Sequence, residues 1–330
     1  MVMSGTPAYT LGVDIGGTKI ETALVDASGR ILASHYQLNG AAKDPQSMIA
    51  AVIDSAKICQ HQSGQKAAAT GVGIAGQIDR ISGIVHRSPN LPAWQEVPLA
   101  EQLAAALRMP VFVNNDARAI TLGEWQFGAG RGLSDLVCLF VGTGVGGGVV
   151  AGGHLLEGCS NSAGEIGHIT IVAGGRKCHC PNDGCLEAYT GGWAIAERAQ
   201  DSVRANPQAG QALVNLAGNV EGITSITVAR AYQNGDPLAQ RLIKDTVKYL
   251  AAGVVSIVNA FNPCRIVLGG GVVLGLPDLV PAVEKRVRAQ ALQTAVGQLQ
   301  ITTAALGDKA GVVGAAVMAR QHTHLSTEEI

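Results

Sequence analysis

The chain alternates short apolar, β-branched runs with segments whose apolar residues recur every three or four positions. The first pattern predicts strands, and the second predicts amphipathic helices. Three strands are predicted at the start of the chain, over residues 9–15, 20–25 and 31–38. A helix is predicted over 45–62, because its apolar residues follow helical spacing and Asp44 precedes it as a potential N-cap.

The remainder of the first half continues this alternation. Strands are predicted over 69–75 and 110–113, and helices over 98–107 and 117–127. Three strands followed by helix, strand, helix, strand and helix is the element order of one α/β domain.

The second half repeats the scheme. Strands are predicted over 136–141, 147–151, 166–172, 265–268 and 299–303. Helices are predicted over 193–205, 237–261, 278–292 and 311–320, and a polar tail that we expect to fray over 322–330. A glycine-rich turn between two strands stands at the head of each half, which predicts a duplicated unit.

Composition narrows the class of protein. The 330 residues are enough for two domains with buried cores, and 47% are hydrophobic against 15% charged. The net charge of −1 and the lack of a basic run argue against a nucleic-acid partner. Residues 1–10 carry no secretion signal, and the uncharged run 136–153 contains many glycines, as in a strand–turn–strand rather than a membrane span. We therefore expect a cytoplasmic protein without a membrane partner.

One histidine and three cysteines stand within eighteen residues: His168, Cys178, Cys180 and Cys185. Thiolate and imidazole are the ligands that tetrahedral zinc prefers, and four protein ligands leave no position for a reactive water. The set therefore predicts a structural zinc that holds Glu165, His168 and Glu187 in fixed relation. A disulfide and a chance cluster of thiols are the alternatives, although seven cysteines in a chain without a secretion signal favour reduced thiols.

Two glycine turns have the character of phosphate-binding sites. The strand that ends at Asp14 is followed by Gly16, Gly17, Thr18 and Lys19. Such a turn exposes backbone N–H groups to phosphate oxygens, and the acid could hold Mg²⁺ through water. An ordinary hairpin turn would have the same pattern.

The second turn is Gly142, Thr143 and Gly144. It begins a literal G-x-G-x-x-G, but a strand follows instead of a helix, so the dinucleotide-binding interpretation is rejected. Gly270 and Gly271 end a later strand, where they would lie under an adenosine or simply close the strand.

Polar residues at other strand and loop ends suggest a substrate. Asp116 follows Asn115 at the start of a predicted helix. Its carboxylate could be a general base for a hydroxyl or the N-cap of that helix, and one side chain cannot fully serve both roles. Asn90 lies in a proline-rich loop suited to a polyhydroxylated ligand or to a plain surface turn. Arg87, Arg118 and Arg131 are candidate phosphate ligands, and nothing in the sequence chooses among them.

Together these residues resemble the ROK family (repressors, open reading frames, kinases), and its glucokinase branch in particular. The motifs that carry the resemblance lie at 14–19, 88–91, 115–117, 142–144 and 165–187, and they extend over most of the chain. The resemblance implies an α/β protein with the actin-like (ribonuclease H-like) ATPase fold, with two α/β domains around a central cleft. It implies a small domain of residues 1–116 plus 305–330 and a large domain of 117–304 that contains the zinc loop.

The resemblance also implies roles for individual residues. Asp116 would be the general base on the 6-hydroxyl of glucose, and Asp14 would hold Mg²⁺ with ATP. The implied sugar ligands are Gly76, Asn90, Asn115, Asp116, Glu165, His168 and Glu187. The implied ATP ligands are Gly16, Gly17, Thr18, Lys19, Gly142, Thr143, Gly144, Gly270 and Gly271. His168 would use one ring nitrogen for zinc and the other for the sugar. A homodimer is also implied.

Two positions depart from the family pattern. Arg118 replaces a common asparagine after the base, and Pro181 replaces a glycine in the zinc loop. Proline fixes φ near −65°, so we expect that loop to turn differently.

Several functions stay open. An N-acylhexosamine kinase is the nearest alternative, although Gln77 stands where N-acetylmannosamine kinases of this family have arginine. A fructose or allose kinase is another. A regulator of this family without its DNA-binding domain is a different class, and a non-enzymatic actin-like filament or chaperone would not need the zinc set. The sequence does not choose ATP over polyphosphate or ADP as phosphate donor.

Overall fold

The computed structural model describes residues 8–39 and 44–325, and their contacts divide the chain into two compact units. The first unit comprises Met1–Gly132, Glu157–Ala163 and Ala305–Ile330. The second comprises Leu133–Leu156 and Gly164–Ala304. The first segment of this unit ends at Gly132, whereas the predicted domain boundary lies at Asp116. Residues 117–132 belong with the first unit because the helix Asp116–Phe127 packs on the C-terminal helix of that unit.

The first unit is built on a five-stranded sheet of order β3-β2-β1-β4-β8. Its strands are β1 (Tyr9–Ile15), β2 (Lys19–Asp26), β3 (Ile31–Leu38), β4 (Thr70–Ile74) and β8 (Val111–Asn115). β1, β2 and β3 are antiparallel neighbours, and β4 and β8 continue parallel to β1. A small antiparallel sheet adds β5 (Gln77–Asp79), β6 (Ile84–Ser88) and β7 (Leu91–Pro98).

The described residues of the first unit form four helices: α1 (Pro45–Ser63), α2 (Leu99–Leu107), α3 (Asp116–Phe127) and α12 (Ala310–Leu325). Asp44 is the N-cap of α1, as predicted, and accepts a hydrogen bond from the Ser47 N–H at 2.9 Å. Helix α12 lies unusually close to the sheet. A side chain at Gly71 would collide with the Ala315 carbonyl oxygen, so glycine is required for that approach.

The second unit repeats the topology of the first. Its sheet has the order β11-β10-β9-β12-β13, with three antiparallel strands followed by two that run parallel to β9. The strands are β9 (Leu136–Val141), β10 (Val145–Ala151), β11 (His154–Leu155), β12 (Arg265–Gly269) and β13 (Gln300–Thr303). The predicted duplication is therefore visible as a shared strand order.

Eight helices complete the second unit. They are α4 (Glu187–Thr190), α5 (Gly192–Ala205), α6 (Gln211–Ala217), α7 (Ser225–Gln233), α8 (Pro237–Phe261), α9 (Gly271–Gly275), α10 (Leu279–Gln290) and α11 (Gln293–Val296). α8 is the central helix. Its buried stripe, which includes Leu250, Val254 and Ile257, packs into one continuous core with β9 and β12. No helix among the described residues is both long enough and apolar enough to cross a bilayer.

Two predicted elements are corrected. The segment 166–172 is not a strand, because only one turn of 3₁₀-helix forms at Ile166–His168, with a single bridge from Thr170 to Cys185 after it. Its β-branched residues fit a half-buried surface without pairing into a ladder. The expected polar tail is helical as far as Leu325, where α12 ends, and residues 326–330 lie outside the described residues.

Candidate active site

In the first unit, the carboxyl ends of three parallel strands meet at one edge of the sheet. Asp14 on β1 is in register with Gly73 on β4, and Gly73 with Asn114 on β8. A Cβ atom at Gly73 would lie 3.5 Å from the Asp116 Cα, so the start of α3 lies directly on this edge. The strand order therefore brings Asp14 and Asp116 to the same place, as ligand sites at strand ends require.

The competing roles of Asp116 are divided between two residues. Asn115 is the N-cap of α3, because its Oδ1 accepts hydrogen bonds from Ala117 N (3.0 Å) and Arg118 N (3.4 Å). Asp116 is the first helical residue, and its Oδ1 accepts a hydrogen bond from the adjacent Ala117 N at 2.8 Å. The capping function thus falls to the amide rather than to the candidate base.

The electrostatics at this edge favour a cation. Burial raises the pKa of Asp14 from 3.8 to about 7, the negative charge of Asp116 adds to the effect, Lys19 opposes it and Glu21 increases it. Glu21 is itself buried, and it accepts a hydrogen bond from Lys309 and lies 3.8 Å from the Lys19 ammonium. Carboxylates that repel each other in a partly desolvated site are typical of a place where a divalent ion binds.

The β1–β2 turn is braced by Asn39, which no sequence motif marks. Asn39 donates two hydrogen bonds to the turn. Its backbone N–H donates to the Thr18 carbonyl (2.8 Å), and its side-chain amide donates to the Gly16 carbonyl (2.7 Å). A Cβ atom at Gly17 would lie 3.2 Å from the Asn90 Cβ. The candidate phosphate turn and the candidate sugar ligand Asn90 are therefore neighbours.

Gly76 follows β4 and has φ = +149°, and a side chain there would collide with the Arg87 carbonyl oxygen. The residue therefore sets the close approach of the β5–β6 hairpin to the end of β4.

Arg118 has a structural role in this unit. Only 1% of its surface is exposed, and its guanidinium donates to Asn161 Oδ1 (2.6 Å), the Ala163 carbonyl (2.9 Å) and Asn114 Oδ1 (3.4 Å). It thereby ties the segment Glu157–Ala163 to β8 and α3. The guanidinium is committed to these partners and is a poor candidate for a phosphate ligand.

In the second unit, the four candidate zinc ligands are gathered in one place. The donor atoms of His168, Cys178, Cys180 and Cys185 all lie within 4.8 Å of one another. The Cys180 and Cys185 sulfurs are 3.6 Å apart, as are the Cys178 sulfur and His168 Nδ1. Zn–S bonds of about 2.3 Å in a tetrahedron place two sulfurs about 3.8 Å apart, so this set fits zinc. His168 Nδ1 lies on the side of the sulfurs, so Nε2 is the ring nitrogen left for another ligand.

The loop around these ligands has a scaffold of its own. The amide of Asn182 donates to Thr170 Oγ1 at 2.8 Å and approaches the Cys185 sulfur at 3.6 Å. Lys177 and Asp183 form a backbone bridge and an ion pair of 2.9 Å at the base of the loop. Burial raises the pKa of the Cys178 thiol to about 12, and hydrogen bonds with the thiols of Cys180 and Cys185 add to the effect, so a bound cation would favour the ionised form of Cys178.

The turn between β9 and β10 is supported by Glu187, one of the candidate sugar ligands. Glu187 Oε2 accepts from the Val145 N–H at 2.7 Å, and Glu187 Oε1 accepts from the indole N–H of Trp193 at 3.2 Å. The Trp193 backbone N–H also donates to the Thr143 carbonyl at 3.1 Å. No sequence pattern marks Trp193, because its role depends on contacts that form only in the fold.

The later glycine pair reaches the same edge of the second sheet. Gly270 has φ = +90°, and a Cβ atom there would lie 2.5 Å from the Val141 carbonyl oxygen at the end of β9. Gly271 begins α9. Because Gly142 directly follows Val141, both candidate ATP segments of this unit meet at adjacent strand ends.

The sequence model of the ROK family matches residues 10–322, which is nearly the whole chain. The chain belongs to the ROK family. A glucokinase of Streptomyces coelicolor is 34% identical over 319 residues, covering 94% of this chain and 98% of that protein. A ROK hexokinase from Thermus thermophilus is 33% identical with a TM-score of 0.83, covering 96% of this chain and 99% of that one. A ROK glucokinase from Streptomyces griseus, solved with glucose and AMPPNP, is 34% identical with a TM-score of 0.79, covering 95% and 99%.

Membership of the ROK family confirms the predicted fold class, the actin-like (ribonuclease H-like) fold. The two sheets of equal strand order are its two α/β units. In this ROK chain, the first unit carries Asp14, Asn90, Asn115 and Asp116. The second carries the cysteine set, Glu165, Glu187 and the turn at 142–144.

Proposed function

We propose that this chain is an ATP-dependent sugar kinase that phosphorylates the 6-hydroxyl of glucose. The observation that carries the proposal is the position of Asp116. It lies at the strand-end edge that also holds Asp14, and the adjacent Asn115 supplies the helix cap. The glucokinases and the hexokinase among its relatives support the same activity.

The residues of the first unit would activate the acceptor. Asp116 accepts the proton of the 6-hydroxyl as that oxygen forms its bond to the γ-phosphorus and the bond from phosphorus to the leaving ADP oxygen breaks. Asp14 would hold Mg²⁺ through water, and the ion would offset charge on the transferred group. In the β1–β2 turn, Gly17 and Thr18 would offer backbone N–H groups to phosphate, and the Gly16 N–H closes the turn on the Lys19 carbonyl at 2.9 Å.

The residues of the second unit would hold nucleotide and sugar. The turn at Gly142, Thr143 and Gly144 and the pair Gly270 and Gly271 are the proposed ATP-binding segments. Glu165, His168 and Glu187 are the proposed sugar ligands here, as Gly76, Asn90 and Asn115 are in the first unit. Glu187 would bind the sugar in addition to its two internal hydrogen bonds.

His168, Cys178, Cys180 and Cys185 would hold a structural zinc ion. The four ligand positions close its coordination shell, so the metal supplies rigidity rather than a nucleophile. Purified protein is expected to contain one zinc per chain, and Cys185→Ser is expected to lose it. A wild-type protein that folds fully and reversibly without any metal would contradict this assignment. Reduced thiolates of this kind also favour a cytoplasmic location.

A coupled assay of ADP release with a panel of sugars tests the proposed activity. We expect glucose to support the highest kcat/KM among glucose, mannose, fructose, allose, N-acetylglucosamine and N-acetylmannosamine. A preference for an N-acylhexosamine or for fructose would replace glucose as the substrate but keep the kinase. If no sugar raises ADP formation above the rate without sugar, the kinase proposal is lost.

A further inference from the structure

The cysteine loop contacts the remainder of the second unit through a side chain that binds no metal. His179 lies between the ligands Cys178 and Cys180, and its ring stacks on the indole of Trp193 with the centroids 3.9 Å apart and 21° between the planes. Stacked aromatic pairs at this distance contribute beyond the area that they bury. The loop is therefore attached to the start of α5 at a defined point.

Trp193 is in turn attached to the β9–β10 turn by two routes. Its backbone N–H donates to the Thr143 carbonyl at 3.1 Å, and its indole N–H donates to Glu187 Oε1 at 3.2 Å. Glu187 Oε2 accepts from Val145 N at 2.7 Å, and a Cβ atom at Gly144 would lie 2.5 Å from that oxygen. The carboxylate thus fills the space beneath the turn, and the indole holds the carboxylate.

The two sides of the turn differ in exposure, as expected if one side binds a ligand and the other is held by Glu187. Thr143 is exposed and accessible to a ligand, whereas Val145 is buried and its N–H is committed to Glu187. A hydrogen bond from backbone to a carboxylate is stronger than one between neutral groups, so its geometry controls how the turn presents its N–H groups. Glu187 bonds to the buried Val145 N–H, so it holds the turn without occupying the exposed side at Thr143.

We propose that Trp193 is a positioning residue that couples the metal-binding loop to the phosphate-binding turn through His179 on one side and Glu187 on the other. The metal then supports nucleotide binding as well as sugar binding. The kinetic part of this inference rests on the proposed kinase function, whereas the coupling itself does not.

The decisive experiment measures amide hydrogen exchange in the peptide that contains Val145, with a peptide from β12 as internal reference. In wild-type protein, removing the metal with a chelator is expected to raise exchange at Val145 about five- to tenfold, the equivalent of losing one such hydrogen bond. Trp193→Phe keeps an aromatic ring but has no N–H to donate. It is expected to show the same rise while it still binds one zinc per chain.

His179→Ala provides a second variant, because His179 is exposed and its replacement does not disturb the core. It is expected to raise exchange at Val145 by a smaller factor with zinc retained, and His154→Ala, an exposed histidine on β11, is the matched control that should change nothing. In kinetics, Trp193→Phe should raise KM for ATP about threefold or more. It should also raise KM for glucose, because the indole N–H holds Glu187, a proposed sugar ligand.

Unchanged exchange at Val145 after chelation, or in both variants with zinc bound, would overturn the coupling. An equal rise in the β12 peptide would also overturn it, because the effect would then be general loosening. If wild-type protein phosphorylates no sugar, the proposed function fails while the exchange measurement still decides the coupling.

Discussion

Replacing Glu124 by glutamine tests how the chain is held where it leaves and re-enters the first unit. Glu124 is fully buried, and its carboxylate accepts hydrogen bonds from the backbone N–H groups of Ala129 (2.8 Å), Ala305 (3.0 Å) and Leu306 (2.8 Å). Ala129 lies just before Gly132, where the first segment of that unit ends, and Ala305 begins its last segment. One side chain therefore fixes both segments.

The expected cost follows from the number of donors. Oε2 accepts from Ala129 and Ala305, and Oε1 accepts from Ala305 and Leu306. Glutamine has nearly the same shape, but its amide nitrogen is a donor, so either orientation turns an N–H group toward a backbone N–H. A hydrogen bond to a charged group contributes about 1.5–3 kcal/mol, and an unsatisfied buried donor costs about 1–3 kcal/mol. We expect Glu124→Gln to lower the free energy of unfolding by about 3 kcal/mol.

Urea unfolding followed by circular dichroism measures this change, with the midpoint and slope compared between variants. The matched control is Glu101→Gln, on the exposed side of α2, which should change stability by about 0.5 kcal/mol or less. If Glu124→Gln is as stable as that control, the carboxylate is not what holds the two segments, and the argument from its hydrogen bonds fails.

Two further substitutions test other parts of the account. The raised pKa of Asp14 means that the folded state binds a proton more tightly than the unfolded chain, so stability falls as pH rises from 3.8 to about 7. Asp14→Asn should therefore abolish turnover. In metal-free protein it should raise stability by on the order of 2 kcal/mol at pH 8 and should give no gain at pH 3.5. Thermal unfolding measures this change, and no gain at pH 8 would contradict the expectation. Gly71→Ala should lower the free energy of unfolding in urea by about 3 kcal/mol, because the added methyl group meets the Ala315 carbonyl. The control Gly275→Ala has open space around the added methyl group and should leave stability unchanged. Equal losses in the two variants would refute the packing argument.

Much of the fold could be predicted because local signals and tertiary packing agree. The helix at Pro237–Phe261 has the predicted bounds, since its buried stripe is continuous and Asp236 caps it. The three-stranded sheet β5–β6–β7 was not predicted. In β7 the buried residues are Leu91, Trp94 and Val97, spaced by three instead of two, in a strand distorted by Glu96 with φ = +51°. Alternation cannot reveal such a strand.

The site was predictable only as far as its chemistry is local in sequence. The cysteine set and the carboxylates at strand ends stand out because metal ligands and strand-end acids have recognisable spacing. The bracing of the β1–β2 turn by Asn39 and the contact of Trp193 with Glu187 depend on residues that the fold brings together. The same is true of Arg118, whose role depends on the hydrogen bond that it donates to Asn161, 43 positions later in the chain.

The most direct test of the central claim is to measure glucose binding and turnover together in Asp116→Asn. Asparagine keeps the shape of the side chain and can still accept the hydrogen bond from Ala117 N, but it cannot take up the hydroxyl proton. The account predicts glucose affinity within about threefold of wild type by titration calorimetry and ADP formation lower by at least about 10²-fold. Turnover equal to wild type would contradict the assignment of Asp116 as the general base.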